Sequence, residues 1–313
     1  MRKHNSRLLH SASDLNAFLG CAHAAALNLR KLQDPQSLPE KAEDDETMVL
    51  IQDAGHAHEA DYLASLRQSG DVAEISSEGT LEERAEATLA AMQAGATFIY
   101  QATFLDPPWH GFADFLRRVD LDTDLGNWGY EVIDTKLARS PDPKHVIQLA
   151  LYSKMIARVQ GEPPDAMHLV LGDGAEASFR RVEFEHFVSA ASDRYLSFID
   201  EGAQGSRPEP CKACSLCGWR DVCAAQWEEE DHLHQVAGIQ STQIDKLRAA
   251  GINTVADLGA LPAGTQIPRL APRTFERLRA QAAMQVARRT GEPRTEPLPI
   301  EPGRGFLRMP APS

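Results

Sequence analysis

Gly111-Phe112-Ala113-Asp114-Phe115-Leu116, followed by Tyr130-Glu131-Val132-Ile133-Asp134-Thr135-Lys136, is the stretch on which the reading of this chain turns. Both segments are rich in aromatic and β-branched residues. Together with Thr97 to Phe104 they form three runs separated by Pro107-Pro108 and Gly126-Asn127, which predicts three sequential strands. Side chains alternate along a strand, so Asp134 and Lys136 project from one face, beside whatever the preceding antiparallel strand presents, including Asp114. Two carboxylates and an amine then converge. Such a pair of acids suits a hard divalent cation such as Mg²⁺, and the lysine can orient an attacking water or stabilise developing charge. The competing reading is a salt bridge between strands, because Asp-x-Lys is a common tripeptide.

Helical signals lie on either side. Ser11 or Ser13 caps a run over 11–33 in which Leu15, Phe18, Leu19 and Leu27 recur near helical spacing and which contains Cys21. Further helices are expected over 46–68 and over 80–94, the latter stopped by Gly95. His58 shares a helical stripe with Ile51, Ala54 and Tyr62, where a histidine is either a core residue or a ligand. Pro143 is placed to start a helix to about Val159, with Ile147, Leu151 and Met155 on one stripe. On that helix Gln148 and Tyr152 are four apart and share a face. They read either as contacts to Lys136 or a phosphate, or as ordinary helix-to-sheet packing. Met167 to Leu171, Ser178 to Glu183 and a helix over 186–203 complete an α/β unit, and Glu131, on the strand face opposite Asp134, reads as structural.

The 313 residues suffice for about two domains of ordinary soluble composition. No apolar run is long enough for a membrane span and the polar start lacks a signal-peptide core, so a cytoplasmic location with no membrane partner is expected. The net charge of −13 excludes a simple charge-driven nucleic-acid coat. Basic character is local instead: from Gly264 onward nine arginines face four glutamates. Two short helical patterns, Thr242 to Ala249 and Thr254 to Leu261, are joined by Ala250-Gly251-Ile252 in the manner of a helix-hairpin-helix. An Arg-rich helix follows over about 273–289. The expected division is 1–230 as an α/β domain, 231–291 as a small all-α region, and 292–313 as a proline-rich linker that packs no core. A linker ending the chain suggests a truncated reading frame.

Cysteine use is concentrated. Cys211, Cys214, Cys217 and Cys223 fall within thirteen residues, and Cys21 stands alone. Such bunching in a reducing compartment points to metal, and four local thiolates would satisfy one Zn²⁺.

These features resemble the RecB-like branch of the PD-(D/E)XK nucleases, which includes the AddB helicase-nuclease subunit and CRISPR adaptation nucleases with an iron–sulfur cluster. The resemblance covers roughly residues 11–225. Gly55-His56-Ala57-His58-Glu59 looks like the first motif, Asp114 matches the second, Asp134-Thr135-Lys136 the third, and Gln148-Leu149-Ala150-Leu151-Tyr152 the trailing Gln-x-x-x-Tyr helix motif. The fold implied is a restriction-endonuclease-like core, a mixed sheet flanked by helices with a cysteine-bound cluster, followed by the helix-hairpin-helix region. The resemblance implies Mg²⁺ or Mn²⁺ held by His58, Asp114 and Asp134, with Asp114, Asp134, Lys136, Gln148 and Tyr152 catalytic. It further implies a [4Fe–4S] cluster on Cys21, Cys214, Cys217 and Cys223, leaving Cys211 spare, a departure that keeps the ligand set open. In longer relatives a helicase or an RNase H-like exonuclease domain follows, so such a partner is implied in cis or in trans.

Two functions from different classes compete on this reading. One is a metal-dependent DNase acting on single-stranded or frayed DNA in repair or processing. The other is a non-catalytic DNA-binding or accessory module, gripping phosphates through hairpin amides and arginines. Intact Asp114, Asp134 and Lys136 favour the enzyme.

Overall fold

A computed structural model describes residues 1–43 and 46–291. The proline-rich segment 292–313 therefore lies outside the described residues. The chain divides into two compact units, Met1–Val222 and the part from Cys223 onward.

In the first unit, a small hairpin of β1 (Arg2–His4) and β2 (Arg7–Leu9) precedes α1 (Ala12–Gly20) and α2 (Ala22–Gln33). Ser11 caps α1 and forms a reciprocal capping box with Asp14. The single helix expected over 11–33 is in fact two, because Cys21 adopts extended backbone (φ −162°, ψ 106°) and ends one helix while starting the next. Apolar spacing runs through this break unchanged, so periodicity could not reveal it. The long helix α3 (Glu46–Ser69) leads to the short strand β3 (Val72–Glu74), and α4 (Leu81–Gln93) follows, capped by Thr80 with Glu83.

Next come β4 (Phe98–Asp106), β5 (Trp109–Val119) and β6 (Gly129–Thr135), the three sequential strands expected. Asp142 caps α5 (Pro143–Gln160), whose proline takes the first turn where no N–H is needed. Then follow β7 (Ala166–Val170), β8 (Glu176–Arg180) and α6 (Glu185–Asp200). The six-stranded sheet has the order β3-β4-β5-β6-β7-β8. β3 with β4 and β6 with β7 pair in parallel, and the remaining neighbours are antiparallel. Three-residue strands such as β1, β2 and β3 are too short to show alternation, and the sequence reading missed them.

Both faces of the sheet are covered. On one, Leu15 of α1, Leu149 and Ile156 of α5 and Tyr195 of α6 pack with Tyr130, Val132 and Leu169 of the strands. On the other, Leu63 and Leu66 of α3 pack on Phe98, Phe115, Ile133 and Val170. Each such leucine contributes about 1.5–3 kcal/mol by leaving water. The stripe expected to bury His58 is only partly a core stripe, since Ile51 is 51% exposed.

The second unit opens within α7 (Arg220–Glu229) and contains α8 (Ser241–Ala249), α9 (Val255–Ala260) and α10 (Pro272–Thr290). Its own core joins Leu247, Val255, Leu258, Phe275 and Leu278. The turn between α8 and α9 carries Gly251 at φ +80°, a left-handed backbone for which glycine pays no steric penalty. No described helix is long and apolar enough to cross a membrane.

Candidate active site

Every residue of β6 is buried, as befits a central strand covered on both faces. Asp134, next to its end, has a side chain only 1% exposed. Just beyond the strand, Lys136 brings Nζ to 2.7 Å from Asp134 Oδ2. The approach lies outside hydrogen-bond geometry, and both Asp134 oxygens are buried without a directed partner. The β5–β6 register sets Phe115 opposite Ile133, and hence Asp114 opposite Asp134. Asp114 Oδ2 accepts the Thr135 N–H at 3.4 Å.

Charge is crowded here. Burial, and after it the negative charge of Asp134, push the Asp114 carboxyl well above the usual carboxylate range. Burial alone would lower the Lys136 ammonium, but the carboxylates of Asp134 and Asp114 outweigh it and hold the lysine above its ordinary value. The amine is thus a cation, suited to anchoring negative charge.

Helix α3 supplies the third side. His58 Nε2 is buried with no partner. Its neighbour Glu59 is close enough to act electrostatically on both Asp114 and Lys136. Glu59 is held in turn by Gln101, whose Nε2 donates to Glu59 Oε1 at 2.7 Å. Burial and then Glu59 raise the neighbouring Tyr100 phenol to about 12. Gln101 has φ +56°, and it stands across the β4–β5 register from Asp114. There the alternation of β5 breaks: Ala113 joins the core on the α5 side while Phe115, two residues on, joins the α3 side. A left-handed non-glycine residue costs about 1–3 kcal/mol and persists where surrounding structure holds it. At this point it bends the strand pair beside Asp114.

Helix α5 closes the site. Tyr152 is buried, hydrogen-bonded to the Phe112 backbone and the Gln148 side chain, and pushed up by burial and by the charges of Asp134 and Asp114. Gly111 permits this contact, since a Cβ there would stand 2.6 Å from the Tyr152 ring. His145, one turn before Gln148, has a buried, unpartnered Nδ1, and burial and then the Lys136 charge lower its pKa.

The structure thus gathers Asp114, Asp134, Lys136, Gln148 and Tyr152, with His58 on the adjoining helix. Sequence reasoning missed Glu59, Gln101 and His145. Glu59 was visible beside His58, and His145 at three residues before Gln148 on the same helix face. Gln101 showed only as a polar break in the apolar run Phe98 to Phe104.

The buried Asp134 carboxylate, ion-paired with Lys136, and the unpartnered Nε2 of His58 are donors of the kind a hard or borderline divalent cation takes, so the residues fit such an ion. Among the described residues no group of three or more His, Cys, Asp or Glu side chains stands in a metal-holding arrangement.

Four of the five cysteines lie in the first unit. All five are free thiols. Cys211 Sγ lies 3.7 Å from Cys214 Sγ. Burial first, and then other groups including Cys211 and Cys217, raise the Cys21 thiol, and Cys214 is raised with Cys21 among its neighbours. Cys21 therefore lies within electrostatic reach of Cys211, Cys214 and Cys217, but among the described residues these thiols do not form a metal-holding group. Cys223 lies on α7 in the second unit. Trp219 is buried in this loop and donates Nε1–H to Asn28 Oδ1 at 2.9 Å.

No curated protein matches the chain closely enough to report. The family model of the PD-(D/E)XK nuclease superfamily matches residues 10–224, the span that contains the six-stranded sheet, the paired aspartates and the lysine. The chain belongs to the PD-(D/E)XK nuclease superfamily.

Proposed function

We propose that this protein is a Mg²⁺- or Mn²⁺-dependent DNA nuclease that hydrolyses phosphodiesters of single-stranded or frayed DNA in repair or processing. The observation that carries the reading is Asp134: a buried carboxylate with both oxygens lacking directed partners, opposite Asp114 and 2.7 Å from Lys136. His58, Asp114 and Asp134 would hold the ion. Bound there, it would supply Lewis-acid polarisation of the scissile phosphoryl group. Lys136 orients the attacking water and offsets charge as it develops on phosphorus-bound oxygen. Gln148 and Tyr152 fix α5 against β5, and Gln148 remains half-exposed toward the substrate.

Two further features support DNA as the substrate and the architecture of the branch it resembles. Arg273, Arg277 and Arg288 on α10 are exposed, and they address phosphates without reading base edges. Arg277 also donates to the Gly238 carbonyl at 3.4 Å, and Arg279 pairs with Glu276 at 3.0 Å. For the cysteines we propose a [4Fe–4S] cluster rather than Zn²⁺, with Cys21, Cys214 and Cys217 as ligands. Cys223 is the fourth in the set the resemblance implies, and Cys211 is the competing fourth on its proximity to Cys214 and Cys21. The cluster would tie the Cys21 helix break to the distant cysteine loop, a role in stability.

The test is cleavage of end-labelled single-stranded, frayed, duplex DNA and RNA with Mg²⁺, Mn²⁺ or EDTA. Metal-dependent cutting of single strands is expected. Tight DNA binding with no cutting under any metal would favour the accessory-module reading instead.

A further inference from the structure

A basic cleft of about 540 Å³ lies between the β1–β2 hairpin and the start of α4, lined among others by Arg2, Lys3, His4, Glu82 and Arg84. Two of these cations share one aromatic ring. The Arg84 guanidinium sits 4.6 Å and that of Arg2 5.7 Å from the centre of Phe112. Among the described residues neither arginine forms an ion pair. Arg84 Nε is buried with no hydrogen-bond partner. Burial and then the Arg2 charge destabilise the Arg84 cation, and burial and then Arg2 push the adjacent His110 down to about 4.

The acid in the cleft does not neutralise this field. Glu82 already engages His4 at 2.8 Å and Asn5 at 3.3 Å. Nor is the attraction a helix-end effect, since Thr80 and Glu83 satisfy each other's backbone at the start of α4. Two uncompensated guanidiniums held against one ring form a fork for an anion, and arginine matches phosphate in two-point geometry.

The nuclease reading identifies the anion. Phe112 is two residues from Asp114 on β5, about 7 Å along the strand. We infer that this cleft binds a backbone phosphate of the substrate strand, with Arg2 and Arg84 as its principal contacts. The inference rests on the nuclease reading for the identity of the strand, and it supplies a substrate grip on a molecule whose net charge is −13.

Binding without cleavage provides the test. Full-length protein carrying Asp134→Asn is titrated with a fluorescein-labelled 20-nucleotide single strand across salt concentrations, alone and combined with Arg2→Ala plus Arg84→Ala. The pair should raise Kd about tenfold near 0.1 M salt and reduce the log–log salt slope by about 0.7, since one phosphate contact on a single strand contributes about 0.7. Arg84→Lys should restore part of the slope. Arg180→Ala, which removes an exposed charge elsewhere, should leave it unchanged. Should Arg84→Ala not fold, Arg2→Ala alone is expected to lower the slope by about half as much. An unchanged slope in folded Arg2 and Arg84 variants, or a loss matched by Arg180→Ala, overturns the proposal. If the slope falls as expected while wild-type protein cuts no substrate, the cleft stands and the nuclease reading fails.

Discussion

Asp114 is the residue whose chemistry is most altered by its place in the fold. Its folded pKa is raised above the unfolded value by burial and by Asp134, so the folded protein favours its protonated form. The stability it contributes is present below the unfolded value and is lost as pH rises through the folded one. In EDTA, Asp114→Asn should therefore raise Tm near neutral pH, with the gain shrinking toward acid. Thermal unfolding from pH 3.5 to 8 checks this, and equal Tm values at pH 8 would contradict it. Spacing placed Asp114, Asp134 and Lys136 together on a strand face and Gln148 with Tyr152 on a helix face, while their proposed roles came from the resemblance. Glu59 and Gln101 were not legible, because their roles arise from a contact between α3 and a strand 42 residues on, and from a left-handed backbone that no spacing encodes.

At the scale of elements, β6 divides its labour between its two faces. Glu131, read as structural from sequence, accepts the Ala166 N–H at 2.9 Å and pairs with His168 Nε2 at 2.9 Å, tying β6 to β7. Burial would raise its pKa, but the His168 and Ala166 hydrogen bonds outweigh it and hold the carboxyl below the usual value. A depressed folded pKa gives stability that is present above the unfolded value and lost as pH falls. Glu131→Gln should accordingly cost about 2 kcal/mol at pH 7, and the difference from wild type should close as pH drops below about 4. Urea unfolding at pH 7 and at pH 3.5 measures both limbs, and a pH-independent difference would contradict the ion-pair account. Helices α4 and α5 were readable because a glycine stop and a proline start agree with their helical patterns. The break at Cys21 was not, because both halves bury one continuous stripe.

For the whole molecule, the two units pose different questions. The first holds the sheet and the nuclease residues within the span of the family match, while the second has its own apolar core around Leu247 and Phe275. Fold class was legible here because three strands followed by a proline-started helix make a restricted pattern. The cysteine chemistry was not settled by spacing, which sets four thiols close in sequence without showing that they hold a metal. If the cluster is iron–sulfur, anaerobically purified protein should contain iron, and Cys21→Ser should lose it and unfold at lower temperature. A colourless, zinc-loaded protein indifferent to Cys21→Ser would contradict that assignment. Iron analysis of Cys211→Ser and Cys223→Ser decides the fourth ligand.

The central claim is that Asp134 and Lys136 perform phosphodiester hydrolysis. It is tested most directly by the rate at which wild type, Asp134→Ala and Lys136→Ala cut an end-labelled single strand in Mg²⁺ or Mn²⁺, each variant first shown to be folded by its unfolding transition. The account predicts metal-dependent cutting by wild type, no detectable cutting by Asp134→Ala and a loss of about 10²–10³-fold for Lys136→Ala. A folded Asp134→Ala protein that cuts at the wild-type rate would contradict it.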